Sequence, residues 1–174
     1  MISQSLKSKL EKVKLLAMDV DGTLTDASMY YGEKGETMKR FSTRDGMGIT
    51  LLKCAGLKTA IVTSEINDIV IARSEKLRID FVEQGCKNKS EYIFNLAEKL
   101  SMTIENIAYI GDDVNDIEAL KAVGASACPS DAAKVILSVV DYICTAKGGN
   151  GAVREFCEAI LLSQNKQIVL PKNW

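Results

Sequence analysis

Short apolar runs alternate with helical patterns along this chain, and that alternation leaves few architectures open. Lys14–Val20 (KLLAMDV), Leu57–Thr63 (LKTAIVT) and Ile107–Ile110 read as buried strands, each running into polar or turn residues. Between and after them, Asp45–Ala55, Asn67–Leu77, Ser90–Leu100 and Asp116–Val123 read as helices. The pattern is clearest in Ser90–Leu100, where Tyr92, Ile93, Leu96, Ala97 and Leu100 fall on one helical face. Further short strands are expected at Asp80–Glu83, Ala125–Cys128 and Asp141–Cys144, with a helix between the last two and a final helix over Gly151–Ser163. Met29–Tyr31 and Glu36–Phe41 flank Gly32-Glu33-Lys34-Gly35, which predicts a small β-hairpin within residues 28–42. Strands alternating with crossover helices imply the α/β class and a mostly parallel sheet. The 174 residues suit a single domain with a short tail over 165–174.

Composition narrows the chemistry. The chain has no histidine, which excludes Ser-His-Asp and Cys-His catalysis and His-ligated zinc. Acid–base work then falls to carboxylates, Lys, Tyr or Cys. With 22 basic and 23 acidic residues the net charge is −1, so charge offers no case for nucleic acid or a membrane surface as partner. No apolar run approaches the roughly 20 residues that cross a bilayer. Met1–Lys14 lacks the apolar stretch of a signal peptide, so a cytoplasmic location is expected. Five widely spaced cysteines without a CxxC pair argue against a disulfide framework. Cys54, Cys128, Cys144 and Cys157 are expected to pack as small apolar residues.

Ligands of open parallel sheets bind outside the carboxyl ends of the strands. Three strands deliver polar groups there: Asp19 and Asp21, then Thr63, then Asp112, Asp113 and Asp116. In Asp19-Val20-Asp21-Gly22-Thr23 an apolar strand runs into two carboxylates one residue apart, a pairing that suits a nucleophile and a general acid/base. Gly22 lets the backbone turn sharply and approach a phosphate. Gly111-Asp112-Asp113-Val114-Asn115-Asp116 offers hard oxygen ligands suited to Mg²⁺; alone, it is equally a helix start with capping acids. Thr63-Ser64 can hold a phosphate oxygen, or simply form a turn. Lys89 can neutralise a phosphate, or simply be a solvated surface charge.

These elements in this order, DxDGT, a strand-end Thr, a Lys and GDDxxD, resemble the haloacid dehalogenase superfamily. The resemblance implies a Rossmann-like core with helices on both faces. It also implies Asp19 as nucleophile, Asp21 as acid/base, and Lys89 as the residue that orients charge. Thr63, Ser64 and Gly22 would bind phosphate. Mg²⁺ would be held by Asp19, the Asp21 main-chain carbonyl and Asp112, supported by Asp113 and Asp116. With only a hairpin after the first motif, no cap domain is expected. Lys39-Arg40-Phe41 through Ile49, and Gly148-Gly149-Asn150-Gly151-Ala152-Val153-Arg154-Glu155, are similar to capless 3-deoxy-D-manno-octulosonate 8-phosphate phosphatases. They are equally similar to nine-carbon nonulosonate (KDN/N-acylneuraminate) 9-phosphate phosphatases and to the C-terminal domain of animal CMP-sialic acid synthetases. Such relatives imply a homotetramer whose neighbouring subunit completes the active site.

One position separates the relatives. Octulosonate enzymes typically read Thr-Gly-Arg after the second strand, where this chain reads Thr63-Ser64-Glu65. Glu65 with Lys76 resembles the nonulosonate enzymes, and Arg154 would help recognise a substrate carboxylate across a subunit boundary. Glu65 and Lys76 are otherwise helix-surface charges, and the glycines around Arg154 otherwise a flexible loop. Ser64 in place of the usual Gly is a departure. The expected function is Mg²⁺-dependent hydrolysis of the terminal phosphate of a 2-keto-3-deoxy sugar acid through an aspartyl-phosphate. The alternatives are a broad small sugar-phosphate phosphatase and a non-catalytic oligomerisation module.

Overall fold

A computed structural model describes residues 2–170 of the chain. Six parallel strands form one sheet in the order β5-β4-β1-β6-β7-β8. They are β1 (Leu15–Met18), β4 (Lys58–Val62), β5 (Phe81–Glu83), β6 (Ile107–Ile110), β7 (Ala125–Cys128) and β8 (Tyr142–Ile143). The chain starts in the middle at β1, builds outward through β4 to β5, then returns beside β1 and builds the other way. The switch in direction lies at β1, which opens a crevice at the carboxyl ends of β4, β1 and β6.

The strands are continuously apolar because both faces are covered. Leu16 and Met18 point into a core shared with α1 (Gln4–Leu10), α2 (Thr43–Cys54) and α6 (Ala152–Ser163). Leu15 and Ala17, one residue out of phase, point into a second core with α4 (Lys89–Lys99) and α5 (Ile117–Ala122). The period-2 alternation of a strand thus splits a run such as LLAM between two layers. Between β4 and β5 runs α3 (Asp68–Leu77). Side chains of Ser42, Asn67 and Asn88 accept N–H groups at the starts of α2, α3 and α4, which sets where each helix begins.

The α2–α6 contact is close because Gly48 has no side chain: a Cβ there would lie 2.8 Å from the Arg154 Cα. Across the same seam, the buried Asp45 carboxylate accepts the N–H groups of Gly151 (3.1 Å) and Arg154 (2.9 Å), capping α6 from another helix. The hairpin, β2 (Tyr30–Gly32) and β3 (Gly35–Met38), is closed at its base by a bridge between Thr25 and Phe41. It is the only element between β1 and α2, so no cap domain follows the first motif.

One element is added and two expectations need correction. The segment before β1 contains a helix, α1, with Ser3 as N-cap and Leu6 and Leu10 buried; two apolar residues four apart among lysines are a faint signal. The helix expected between β7 and β8 is a single 3-10 turn, Ile136–Ser138. Its approach is held by main-chain bonds to other loops, from Ala133 N–H to Asp112 O and from Ser130 N–H to Ala146 O. Cys54 is exposed rather than packed, because it ends α2 on the solvent side, whereas Cys128, Cys144 and Cys157 are buried. Of the tail over 165–174, Ile168 and Leu170 pack against the core, and 171–174 lie outside the described residues. Among the described residues no helix is long and apolar enough to cross a membrane.

Candidate active site

The carboxyl ends of β4, β1 and β6 carry Thr63, Asp19 and Gly111-Asp112 side by side. The Asp19 N–H still donates to Ile110 O (3.0 Å), so the sheet ladder holds the backbone up to the first acid of the motif. Immediately after, Val20 O accepts the N–H groups of Thr23, Leu24 and Thr25, folding the loop back on itself. Gly22, at φ +86°, makes this turn possible, and a Cβ at that position would sit 2.0 Å from Asp112 Oδ2. No other residue fits between the two motifs. The cleft they form has a volume of about 250 Å³ and is lined by Asp19, Asp21, Ala27, Thr63, Ser64, Glu65, Asp112, Asp113 and Asn115.

Below the cleft floor lies a buried charge network. Lys89 Nζ donates to Asp19 Oδ1 (2.8 Å) and to Asp116 Oδ1 (2.6 Å). The lysine side chain is 1% exposed, so the solvated alternative raised by the sequence does not apply. Asp116 Oδ1 also accepts the Tyr109 hydroxyl (2.6 Å), and its Oδ2 accepts the N–H groups of Asp112 (3.0 Å) and Asp113 (3.3 Å). Thr23 Oγ1 donates to Asp112 Oδ1 (3.1 Å).

Asp19, Asp112 and Asp116 each bring an oxygen within 4.8 Å of the others. Burial, then the Asp116 charge, raises Asp19 to a pKa of about 7 despite the opposing Lys89. Burial, then Asp116, does the same for Asp112. Two buried carboxylates and a half-buried one around one lysine leave surplus negative charge, which a hard divalent cation would offset. Four donors already occupy Asp116, so it positions Lys89 and the Asp112 loop. Asp19 and Asp112 are the carboxylates left to face a cation.

Other groups reach the cleft from long range. Lys39, just past β3, has a fully buried side chain and donates to Asp21 Oδ1 (2.5 Å); Glu36 lies 3.0 Å from the same ammonium. Ser64 Oγ donates to Cys86 O (3.1 Å) and accepts from Asn115 Nδ2 (3.3 Å), joining the second and third motifs across the cleft. The glycine-rich segment is packed rather than loose. A Cβ on Gly148 would meet Gly22 O at 1.8 Å, and Gly149 N–H donates to Thr23 O (3.0 Å).

The structure therefore brings together Asp19, Asp21, Gly22, Thr63, Ser64, Lys89, Asp112, Asp113 and Asp116, and places Glu65 at the cleft rim. It does not bring in Lys76 or Arg154. Lys76 is exposed on the last turn of α3, and Arg154 pairs with Glu158 along α6. Lys39, Tyr109, Asn115 and Thr23 escaped the sequence reading as site residues. Asn115 and Thr23 lie inside the two acid motifs and were open to notice; Lys39 opens a stretch that carries the family resemblance but no role attached to it, and Tyr109 carries no local signal.

A family model described as haloacid dehalogenase-like hydrolase matches residues 50–156. The 3-deoxy-D-manno-octulosonate 8-phosphate phosphatase of Escherichia coli is 39% identical over 165 residues, covering 95% of this chain and 88% of the relative. That of Haemophilus influenzae is 37% identical, covering 94% of this chain and 91% of the relative. Among solved structures, the octulosonate 8-phosphate phosphatase of Moraxella catarrhalis, in complex with magnesium ion, phosphate ion and KDO, is 40% identical. It superposes with a TM-score of 0.89 and covers 92% of both chains. The enzyme from Yersinia pestis superposes with a TM-score of 0.92 at 36% identity, covering 95% of this chain and 89% of that one.

Proposed function

The chain belongs to the haloacid dehalogenase-like hydrolases, and from that membership we propose that it is a Mg²⁺-dependent phosphatase of 3-deoxy-D-manno-octulosonate 8-phosphate. The observation that carries the reading is the meeting of Asp19 and Asp112 across one cleft, with Lys89 bridging Asp19 to Asp116 beneath it. Asp19, Asp112 and the Asp21 main-chain carbonyl would hold Mg²⁺, which would supply positive charge opposite the phosphoryl oxygens.

Asp19 is the nucleophile: its carboxylate attacks phosphorus in line, and the sugar oxygen leaves as the P–O bond breaks. Asp21 protonates that oxygen, then takes a proton from the water that hydrolyses the aspartyl-phosphate. Thr63, Ser64 and the Gly22 turn hold the phosphoryl oxygens. Lys89 keeps Asp19 oriented and offsets charge as phosphorus is attacked. Asp113 and Asp116 support the metal-facing loop. The partner is a small phosphorylated sugar acid. A homotetramer would let Arg154, and the exposed Met29, Tyr31 and Met38 of the hairpin, meet a neighbouring subunit.

Glu65 at the cleft rim favours a second reading, a nine-carbon nonulosonate 9-phosphate. A carboxylate there accepts hydrogen bonds from sugar hydroxyls or an amine, where an arginine would instead attract a carboxylate. A steady-state comparison of the two sugar-acid phosphates and a plain hexose phosphate, with and without Mg²⁺, separates the readings. Wild type is run beside Glu65→Arg and Asp19→Asn. Octulosonate 8-phosphate should give the highest kcat/KM, and Asp19→Asn should abolish turnover. Near wild-type activity in Asp19→Asn would refute the mechanism, and equal rates on all three esters would replace the sugar-acid reading with a broad phosphatase.

A further inference from the structure

Asp21 is presented to the cleft asymmetrically. Its Oδ1 is held by Lys39 Nζ at 2.5 Å, while its Oδ2 is buried and has no hydrogen-bond partner among the described residues. Lys39 itself cannot swing away, because its side chain is fully buried and its ammonium also lies 3.0 Å from Glu36. Glu36 in turn accepts from the amide of Asn67, the N-cap of α3, at 2.7 Å. The hairpin thus reaches over the first motif and fastens one oxygen of Asp21 to a chain of contacts anchored in a helix start.

We propose that Lys39 is the positioning residue for Asp21: by holding Oδ1 it fixes the carboxyl group in the orientation from which it exchanges a proton with the substrate and the water. This rests on the phosphatase reading above and deepens it. An ammonium donates to a carboxylate oxygen and, more weakly, to the carbonyl oxygen of a carboxylic acid. The anchor therefore persists through both halves of the cycle, when Asp21 carries the proton and when it does not. Without it, a side chain with two free torsions must find the productive orientation in each half-reaction, and proton transfer is sensitive to that geometry.

The test compares kcat/KM for an alkyl phosphate, glycerol 3-phosphate, with that for 4-nitrophenyl phosphate. The alkoxide needs a proton to leave, and the nitrophenolate does not. A positioned general acid is worth about 10²–10⁴-fold, so Lys39→Met should lower kcat/KM for the alkyl ester by about 10–100-fold. The fall for the aryl ester should be several-fold smaller. A nitrophenol burst should also appear in Lys39→Met, since slower water activation lets the aspartyl-phosphate accumulate. Glu36→Gln, which keeps the bond to Asn67 and loosens the lysine, should show the same selectivity more weakly and serves if Lys39→Met does not fold.

Equal losses on both esters without a burst would make Lys39 merely structural and overturn the inference. So would wild-type rates in Lys39→Met alongside a leaving-group-selective loss in Asp21→Asn, with the phosphatase reading left intact. If Asp21→Asn itself shows no selectivity, the acid/base role of Asp21 falls, and the inference with it.

Discussion

Replacing Lys89 by methionine keeps the aliphatic stem and removes the only positive charge, among the described residues, within hydrogen-bonding reach of Asp19 and Asp116. Both carboxylates are at most 5% exposed, so neither can turn to water for compensation. Removing one partner of a buried ion pair costs about 3–5 kcal/mol. Asp19 has one escape, which is to take up a proton. Burial and the Asp116 charge already raise it from its usual 3.8 to about 7, and losing the lysine raises it further. A carboxyl whose folded pKa lies above its unfolded value makes the fold less stable as pH rises through that window. The extra cost of Lys89→Met through Asp19 should therefore be least below about pH 7, where Asp19 is protonated with or without the lysine, and grow as pH rises from there toward about 9. For a chain of this size, about 3–5 kcal/mol corresponds to a melting point roughly 6–20 °C lower. Thermal melts of wild type and variant in EDTA across that pH range measure it. A variant within about 2–4 °C of wild type at the alkaline end, roughly 1 kcal/mol, would show that the lysine does not hold these charges together. Turnover should drop with it, because a protonated Asp19 is no nucleophile.

The metal-free wild type should itself lose stability as pH rises from about 4 to 7, since Asp19 and Asp112 are both raised to about 7; added Mg²⁺ should restore the most melting temperature at the alkaline end. A Mg²⁺ effect on melting that does not grow with pH would contradict the site. Gly22→Ala places a methyl against Asp112 Oδ2 and forces an L-residue to φ +86°, so it should cost about 1–3 kcal/mol and weaken Mg²⁺ at least about tenfold, read by calorimetric titration. Far from the cleft, Glu155 accepts the N–H groups of Thr145 and Ala146, the Thr145 hydroxyl and the Tyr142 hydroxyl. Glu155→Ala should cost about 1–3 kcal/mol in urea melts. Those bonds hold Glu155 below its usual pKa, so its contribution is present above about pH 4.5 and fades in acid.

The alternation of apolar runs and helical patterns in the amino-acid sequence was enough to order the elements of a parallel sheet, because period and turn residues act over a few positions. The acid-rich turns were legible for the same reason: Asp19-Val20-Asp21-Gly22 and Gly111-Asp112-Asp113 follow apolar strands directly, and parallel strands must end on one edge. Weak local signals misled. Leu6 and Leu10 were too sparse a pattern to show α1, and the apolar residues after Asp131 suggested a helix that loop contacts replace with one 3-10 turn. What only the tertiary structure decided is which charges meet. Lys39 reaches Asp21 from 18 positions away, Lys89 reaches Asp19 from 70, and Asp45 caps Gly151 from 106. A lone lysine or aspartate reads the same in sequence whether it faces water or a buried carboxylate. Its role is set by desolvation and distance, and both exist only once the layers have packed.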